Sequence, residues 1–397
     1  MSLRVLMLGW ELPPFNSGGL GEACFGLARA LSKKGVQITF VLPKKLDVHM
    51  DFADLIFADV DEVAGNLAGA YTTNDSWSSL FPTNAFPPAQ DYIGGALKFA
   101  EKMGLLAKRY KGSIDVVHAH DWLTYPAGMV AKRVLNKPLI AHVHATEFDR
   151  TGGHNPNPMV YAIEKKGFEI ADKVLPVGGF MKDVLIEKYN VDQDKIQVVY
   201  NGIDDCRRDL APVLTAFKEL GYKVVLFLGR ITLQKGPEYF VRAAKRILDY
   251  EPKTIFVVTG SGDMEGYMIS EAARLGILDK FIFTGFLRGE ERDQIYQAAD
   301  LYVMPSVSEP FGITALEALV NKTPLLISKQ SGVSEILKNA LKVDFWDIEE
   351  MANKAVAVLK YAALKSDLQS EGQKEVRLYN WSRTADEVIN VYNQVTH

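Results

Sequence analysis

The chain has 397 residues, 48% hydrophobic and 24% charged, a balance that supports packed cores and excludes a disordered or fibrous protein. A net charge of −4 offers no field for nucleic acid or an anionic membrane. The two cysteines, Cys24 and Cys206, build no disulfide framework, and no run reaches the ~18 apolar residues that cross a bilayer, so a cytoplasmic protein without a transmembrane segment is expected.

The first strand is expected over Arg4 to Trp10; its apolar run is interrupted by Glu11 and Pro13-Pro14 too soon for a signal core. It leads into Asn16-Ser17-Gly18-Gly19-Leu20-Gly21, and a helix carrying Phe25, Leu27, Ala28 and Leu31 follows as far as Gly35. A Gly-rich strand-to-helix turn lets backbone N–H groups approach a ligand, but the spacing here is not the dinucleotide fingerprint. Taken alone, the turn is explained more simply as a structural one. A strand over Gln37 to Leu42 completes a βαβ unit, and residues 47–90 read as strands broken by loops that shape a substrate cleft. The next helix bears Lys98, Lys102, Lys108, Arg109 and Lys111, for which a solvated face is favoured over a membrane-touching one.

Two strands then carry paired histidines: Asp115 to Trp122 with His118 and His120, and Pro138 to Glu147 with His142 and His144. A spacing of two puts each pair on one strand face. Four imidazoles invite a metal, yet Asp121 and Glu147 serve hydrogen bonding equally well, so satisfied core histidines are preferred and no metal is expected. His144, furthest along its strand, is the one expected to face a cleft. Glu147 opens a polar, Gly/Pro-rich loop of the kind that clamps a ligand. A helix from Met159 to Ala171, a strand over Lys173 to Val177, a helix ending near Tyr189 and a strand over Ile196 to Tyr200 complete the first domain, followed by a linker over 202–209.

A second βα pattern starts at Lys223. Its strands end in Gly229-Arg230, Thr259-Gly260-Ser261-Gly262, Thr284-Gly285-Phe286-Leu287, Glu309-Pro310-Phe311-Gly312 and Ser331-Gly332. Alternation of strand and helix predicts a parallel sheet with all these turns on one edge, where open α/β sheets bind ligands. The chain therefore reads as α/β: 1–204 as one Rossmann-like domain, 205–380 as a second, a cleft between them, and 381–397 as a C-terminal helix packing back on the first. Pro310 holds Glu309 in extended geometry at a strand end. The helix after Gly312 offers free N–H groups and its positive dipole end, and Glu317 adds a second carboxylate near its start. Arg230 and Lys235 leave a neighbouring strand, so carboxylates for hydroxyls stand beside cations for phosphate.

In this order the segments Asn16-Ser17-Gly18-Gly19-Leu20-Gly21, His118-Ala119-His120-Asp121-Trp122, Val199-Tyr200-Asn201-Gly202-Ile203-Asp204, Gly229-Arg230 with Lys235-Gly236, and Glu309-Pro310-Phe311-Gly312 with Glu317 resemble the retaining glycosyltransferases of the GT-B fold, within them the glycogen and starch synthase-like members. The resemblance implies an enzyme that moves a hexose, with glucose favoured, from an ADP- or UDP-sugar to a saccharide acceptor with retention, without metal or other cofactor. It implies that Glu309 contacts the transferred sugar, Glu317 the ribose, and Arg230 and Lys235 the leaving diphosphate. Gly18 and Gly19 would pack against donor phosphate, His144 would reach the sugar 6-hydroxyl, and Leu287 would meet the base through its backbone. Gly260, Phe311, Gly312, Ile313 and Thr314 would line the donor site, with Asp121, Trp122 and Glu147 toward the acceptor. Asn16 stands where many bacterial members carry lysine, and Glu317 is an acid those members tend to lack. A small-molecule or lipid acceptor, another hexose and an epimerase on the same fold remain open.

Overall fold

The structure, a computed structural model, describes residues 2–15, 18–59, 88–205 and 210–396. Asn16, Ser17, most of the irregular 47–90 segment, Cys206 and the rest of the 206–209 linker lie outside the described residues. The chain divides into two compact units, 1–202 together with 381–397, and 203–380.

The first unit is built on a six-stranded sheet, β1 (Arg4–Leu8), β2 (Gln37–Leu42), β3 (Asp54–Phe57), β4 (Val116–His120), β5 (Leu139–Val143) and β6 (Lys173–Pro176), in the order β3-β2-β1-β4-β5-β6. Every pairing is parallel. Crossovers include α1 (Gly19–Lys33), α2 (Pro88–Arg109), α3 (Tyr125–Leu135), α4 (Glu147–Arg150) and α5 (Pro158–Ile170), and α6 (Gly179–Tyr189) follows the last strand. The second sheet repeats the plan with β7 (Lys223–Leu228), β8 (Thr254–Thr259), β9 (Phe281–Gly285), β10 (Leu301–Met304), β11 (Leu325–Ser328) and β12 (Leu341–Val343), in the order β12-β11-β10-β7-β8-β9. Counted within its unit, each order is the doubly wound 3-2-1-4-5-6 of a Rossmann-like domain. The central strands read as continuous apolar runs because helices cover both faces, and Val224, Val225, Leu226, Phe256, Val257 and Val258 are fully buried.

The second unit's helices are α7 (Thr215–Glu219), α8 (Pro237–Tyr250), α9 (Glu265–Arg274), α10 (Gly289–Ala298), α11 (Ile313–Val320), α12 (Gly332–Ile336), α13 (Ile348–Lys360) and α14 (Ala362–Val376). Pro237 opens α8 at its first position, where a missing N–H costs nothing, and Phe240, Val241, Ala244 and Ile247 face the core at helical spacing. The last helix, α15 (Trp381–Thr396), belongs to the first unit. Its Thr384 hydroxyl donates to the Tyr200 carbonyl at 2.9 Å, and its Tyr392 hydroxyl lies 2.6 Å from His118 Nδ1.

Three local expectations need correction. The segment 196–200 is not a strand: Gln197 and Val199 donate to the Val174 and Pro176 carbonyls, but only the Val174–Ile196 bridge closes and the sheet ends at β6. The loop expected after Glu147 begins as the short α4, because Thr146 and Asp149 form a capping box. Finally, β12 went unanticipated, three residues being too few for a periodic signal.

Candidate active site

In an open α/β sheet the ligand crevice lies where strand order reverses. In the second unit that point falls between β7 and β10, paired at Leu301 with Val225 and Tyr302 with Leu226. The loop after β7 carries Arg230 and Lys235, and the loop after β10 carries Glu309. Lys235 Nζ forms an ion pair with Glu309 Oε2, both side chains mostly buried, and the Ser306 hydroxyl lies 3.4 Å from the same oxygen. Arg230 Nη2 donates to Gln234 Oε1 at 3.3 Å. The β7 loop is fixed from both ends: Gly236, at φ 66°, passes so near the Pro305 carbonyl that a Cβ would collide with it, and Val307 N–H donates to the Gln234 carbonyl at 2.9 Å.

Glu309 is held through its own backbone, its N–H donating to Gln330 O at 3.0 Å and its carbonyl accepting from Gly332 N–H at 2.8 Å. The chain then turns at Gly312, φ 105°, directly into α11. Phe311 is buried, Ile313 and Thr314 are half-buried at the helix start, and Tyr302 donates to Thr314 Oγ1 at 2.9 Å. One turn on, Glu317 is 9% exposed and both its oxygens are engaged. Arg292 Nη1 of α10 lies 2.8 Å from Oε1, and the Tyr296 hydroxyl, also of α10, lies 3.1 Å from Oε2. The loops after β8 and β9 are laced together, Gly260 N–H donating to Gly285 O at 2.8 Å, and Leu287 follows half-buried. Thus Arg230, Lys235, Gly260, Leu287, Glu309, Gly312 and Glu317 all sit at strand ends on one edge of this sheet.

In the first unit the β1 and β4 ends are neighbours at the corresponding reversal. Gly18 caps α1 in extended geometry and Gly19 begins the helix. The four histidines are buried in two hydrogen-bonded pairs, His118 Nε2 with His142 Nδ1 at 3.1 Å and His120 Nδ1 with His144 Nε2 at 2.9 Å. Burial pushes all four well down, His144 to about 3, so they are neutral imidazoles at ordinary pH. His144 is the most exposed of them, at 6%. Asp121 is fully buried and accepts the His144 and Ala145 N–H groups at 2.7 and 3.3 Å; burial raises it to about 6. Trp122 is also buried, while Glu147 accepts from Asn157 N–H at 3.2 Å and faces Arg150.

Two sets of potential ligand atoms, Cys24 with His120 and His144, and His118 with His120 and His142, lie within 4.8 Å of one another. They fit a metal poorly. Adjacent rings on each strand stack at 4.4 Å with planes 19 to 20° apart, so their lone pairs run side by side rather than converging. Both His118 nitrogens, His142 Nδ1, His120 Nδ1 and His144 Nε2 are spent on hydrogen bonds, leaving His120 Nε2 and His142 Nε2 buried without a partner among the described residues. Burial also raises the Cys24 thiol away from the thiolate a metal needs.

Sequence reasoning missed Arg292 and Tyr296, which stand in no motif and reach Glu317 from another helix. It also missed Glu11, fully buried at the end of β1, whose Oε1 accepts Gly21 N–H at 3.3 Å. The one available signal was an acid directly after an apolar strand.

Comparison with known proteins now decides the family. The model of "Glycosyl transferases group 1" matches residues 215–375 and that of "Glycosyltransferase Family 4" matches 17–207. An uncharacterized glycosyltransferase of Methanocaldococcus jannaschii is 30% identical, over 98% of both chains. The chain belongs to the group 1 glycosyltransferases. Among other relatives, a glycogen synthase of Mycobacterium tuberculosis is 26% identical over 98% of this chain and 94% of its own. A D-inositol 3-phosphate glycosyltransferase of Salinispora arenicola is 27% identical over 98% and 92%. The fold is shared with sucrose-phosphate synthase of Thermosynechococcus elongatus, TM-score 0.77 at 21% identity over 99% and 98% of the two chains. It is shared too with Anabaena HepE in complex with UDP-glucose, TM-score 0.72 at 16% identity over 99% and 100%. This group 1 glycosyltransferase is therefore a GT-B enzyme of the glycogen synthase-like type, and among its described residues no helix is long and apolar enough to cross a membrane.

Proposed function

We propose that the chain is a retaining hexosyltransferase that moves glucose from ADP- or UDP-glucose to a saccharide acceptor without a divalent metal. The observation that carries this reading is the Lys235–Glu309 pair at the strand reversal of the second sheet, with Arg230 on the same loop and the start of α11 beside it. A diphosphate needs cations and N–H donors, and a sugar needs an acceptor for its hydroxyls; these elements supply both.

In this reading Lys235 changes partner. Without donor its ammonium neutralises Glu309; when the diphosphate arrives, the ammonium turns to the phosphate and Glu309 is freed for the sugar. As the anomeric bond to the phosphate oxygen breaks, negative charge grows on the leaving diphosphate, and Arg230 and Lys235 are already in place to meet it. The acceptor hydroxyl attacks from the face the diphosphate is leaving and passes its proton to a phosphate oxygen, which keeps the configuration. The carboxylate spacing rules of retaining glycosidases do not apply. His144, neutral, offers one hydrogen bond to a sugar hydroxyl. The two-cation set and the stacked imidazoles support a metal-free reaction.

The test is a screen of ADP-, UDP- and GDP-glucose against glucan oligomers, sugar phosphates and inositol phosphate, in EDTA, with the product anomer read by NMR. An α-linked product from an α-linked donor is expected. Inverted product, strict dependence on an added metal, or epimerised donor without acceptor would overturn the assignment.

A further inference from the structure

Glu317 is buried, and its two oxygens are not equivalent to those of a free carboxylate. Oε1 faces the Arg292 guanidinium at 2.8 Å and Oε2 accepts from the Tyr296 hydroxyl at 3.1 Å. Both partners are themselves fixed. Arg292 also holds Asp293 Oδ1 through Nε and Nη2, at 3.2 and 3.0 Å, while the fully buried Tyr296 hydroxyl also lies 3.2 Å from the Thr314 carbonyl. The backbone between them is pinned as well, Asn321 Nδ2 donating to the Glu317 carbonyl at 3.0 Å and Gln297 Nε2 to Asn321 Oδ1 at 2.9 Å.

A carboxylate offers about four lone-pair sites, two on each oxygen. One on each is occupied here, which leaves one on each in a fixed direction. Two acceptors at carboxylate spacing suit two adjacent hydroxyls, each donating to one oxygen. The charge balance agrees: with its charge countered by Arg292, Glu317 repels a nearby diphosphate less than an unpaired carboxylate would.

We propose that Arg292 and Tyr296 are positioning residues that orient Glu317 as a vicinal-diol acceptor, and so set the enzyme's preference for ribonucleotide over deoxyribonucleotide donors. The proposal rests on the donor assignment above. Because the diol is remote from the breaking bond, its contacts are alike in ground and transition states. Weakening them raises KM and leaves kcat nearly unchanged.

The experiment measures binding of UDP, 2′-deoxy-UDP, ADP and 2′-deoxy-ADP to the full chain by calorimetry, together with donor kinetics. The wild type is expected to favour the ribonucleotide roughly tenfold or more, the worth of one hydrogen bond to a charged group. In Tyr296→Phe and Arg292→Lys this ratio falls to within about threefold while KM rises and kcat holds. Lys235→Ala weakens both nucleotides together and leaves the ratio intact. Tyr296→Phe removes a single hydroxyl and keeps the test open if Arg292→Lys does not fold, as read by its melting temperature. An undiminished ratio in folded variants overturns the proposal while the donor assignment stands. A wild type that binds no nucleoside diphosphate overturns both.

Discussion

At the residue scale the strongest expectation concerns the two cations. Each of Arg230→Ala and Lys235→Ala should cost roughly 2–4 kcal/mol of transition-state stabilisation, about two to three decades in kcat. Both meet one leaving group, so the double variant should lose less than the sum of the singles. Lys235→Arg should not rescue, since a planar fork cannot replace the compact ammonium that pairs with Glu309. Steady-state kinetics on variants with native circular dichroism decide this, and normal turnover with weakened donor affinity would reduce the pair to simple binding groups. A second expectation is structural: Tyr392→Phe leaves buried His118 Nδ1 without its partner and should cost about 1–3 kcal/mol, read from the urea midpoint. Glu309, Arg230 and Lys235 were legible because local chain chemistry announces them: a proline, a glycine turn and a strand end. Arg292 and Tyr296 were not, since their role exists only when α10 lies against α11, and helix spacing says nothing of which side chain meets which.

At the element scale, close packing rather than pattern fixes the C-terminal helix. A Cβ on Gly26 of α1 would overlap the Trp381 indole, so the glycine is a socket for the first residue of α15. Gly26→Ala should therefore displace Trp381 and cost on the order of 1–3 kcal/mol by overpacking, with a shift in tryptophan fluorescence and a lower urea midpoint. An unchanged midpoint would show that α15 is held by its other contacts, among them Thr384, Tyr392, the Lys34–Asp386 ion pair and buried Val388 and Val391. The fold class was readable because strand runs and glycine turns recur in both units, with each helix announced by its period. What escaped was short or one-sided. The four-residue α4 depends on the Thr146 and Asp149 side chains, β12 spans three residues, and 196–200 carries strand-like composition without closing a ladder. Such elements are decided by single hydrogen bonds, and composition cannot resolve them.

At the scale of the whole molecule the distribution of titratable groups is lopsided. All seven histidines lie in 1–202 or at residue 397, so the second unit has none. In the folded first unit His118, His120, His142 and His144 are lowered by burial and stay neutral. Their contribution to stability is present above the ordinary imidazole value, and it is lost as pH falls and the unfolded chain takes up protons. Two buried carboxyls act oppositely: burial, only partly offset by Arg150, raises Asp121 to about 6 and Glu164 to about 7. Their contribution is present below the ordinary carboxyl range and lost as pH rises through 6 to 7. Below neutrality unfolding therefore adds protons to the four imidazoles and removes them from the two carboxyls, and the more numerous imidazoles set the sign: stability of the first unit rises with pH and is weakened at pH 5. Urea titrations at pH 7 and pH 5, read by pulse proteolysis with the fragments assigned by mass, separate the units. Fragments from 116–143 should lose protection at much lower urea at pH 5, while fragments from 223–343 should move far less. Equal shifts in both, or a more protected first unit at pH 5, would mean that the histidines are charged in the folded protein and that burial does not govern them.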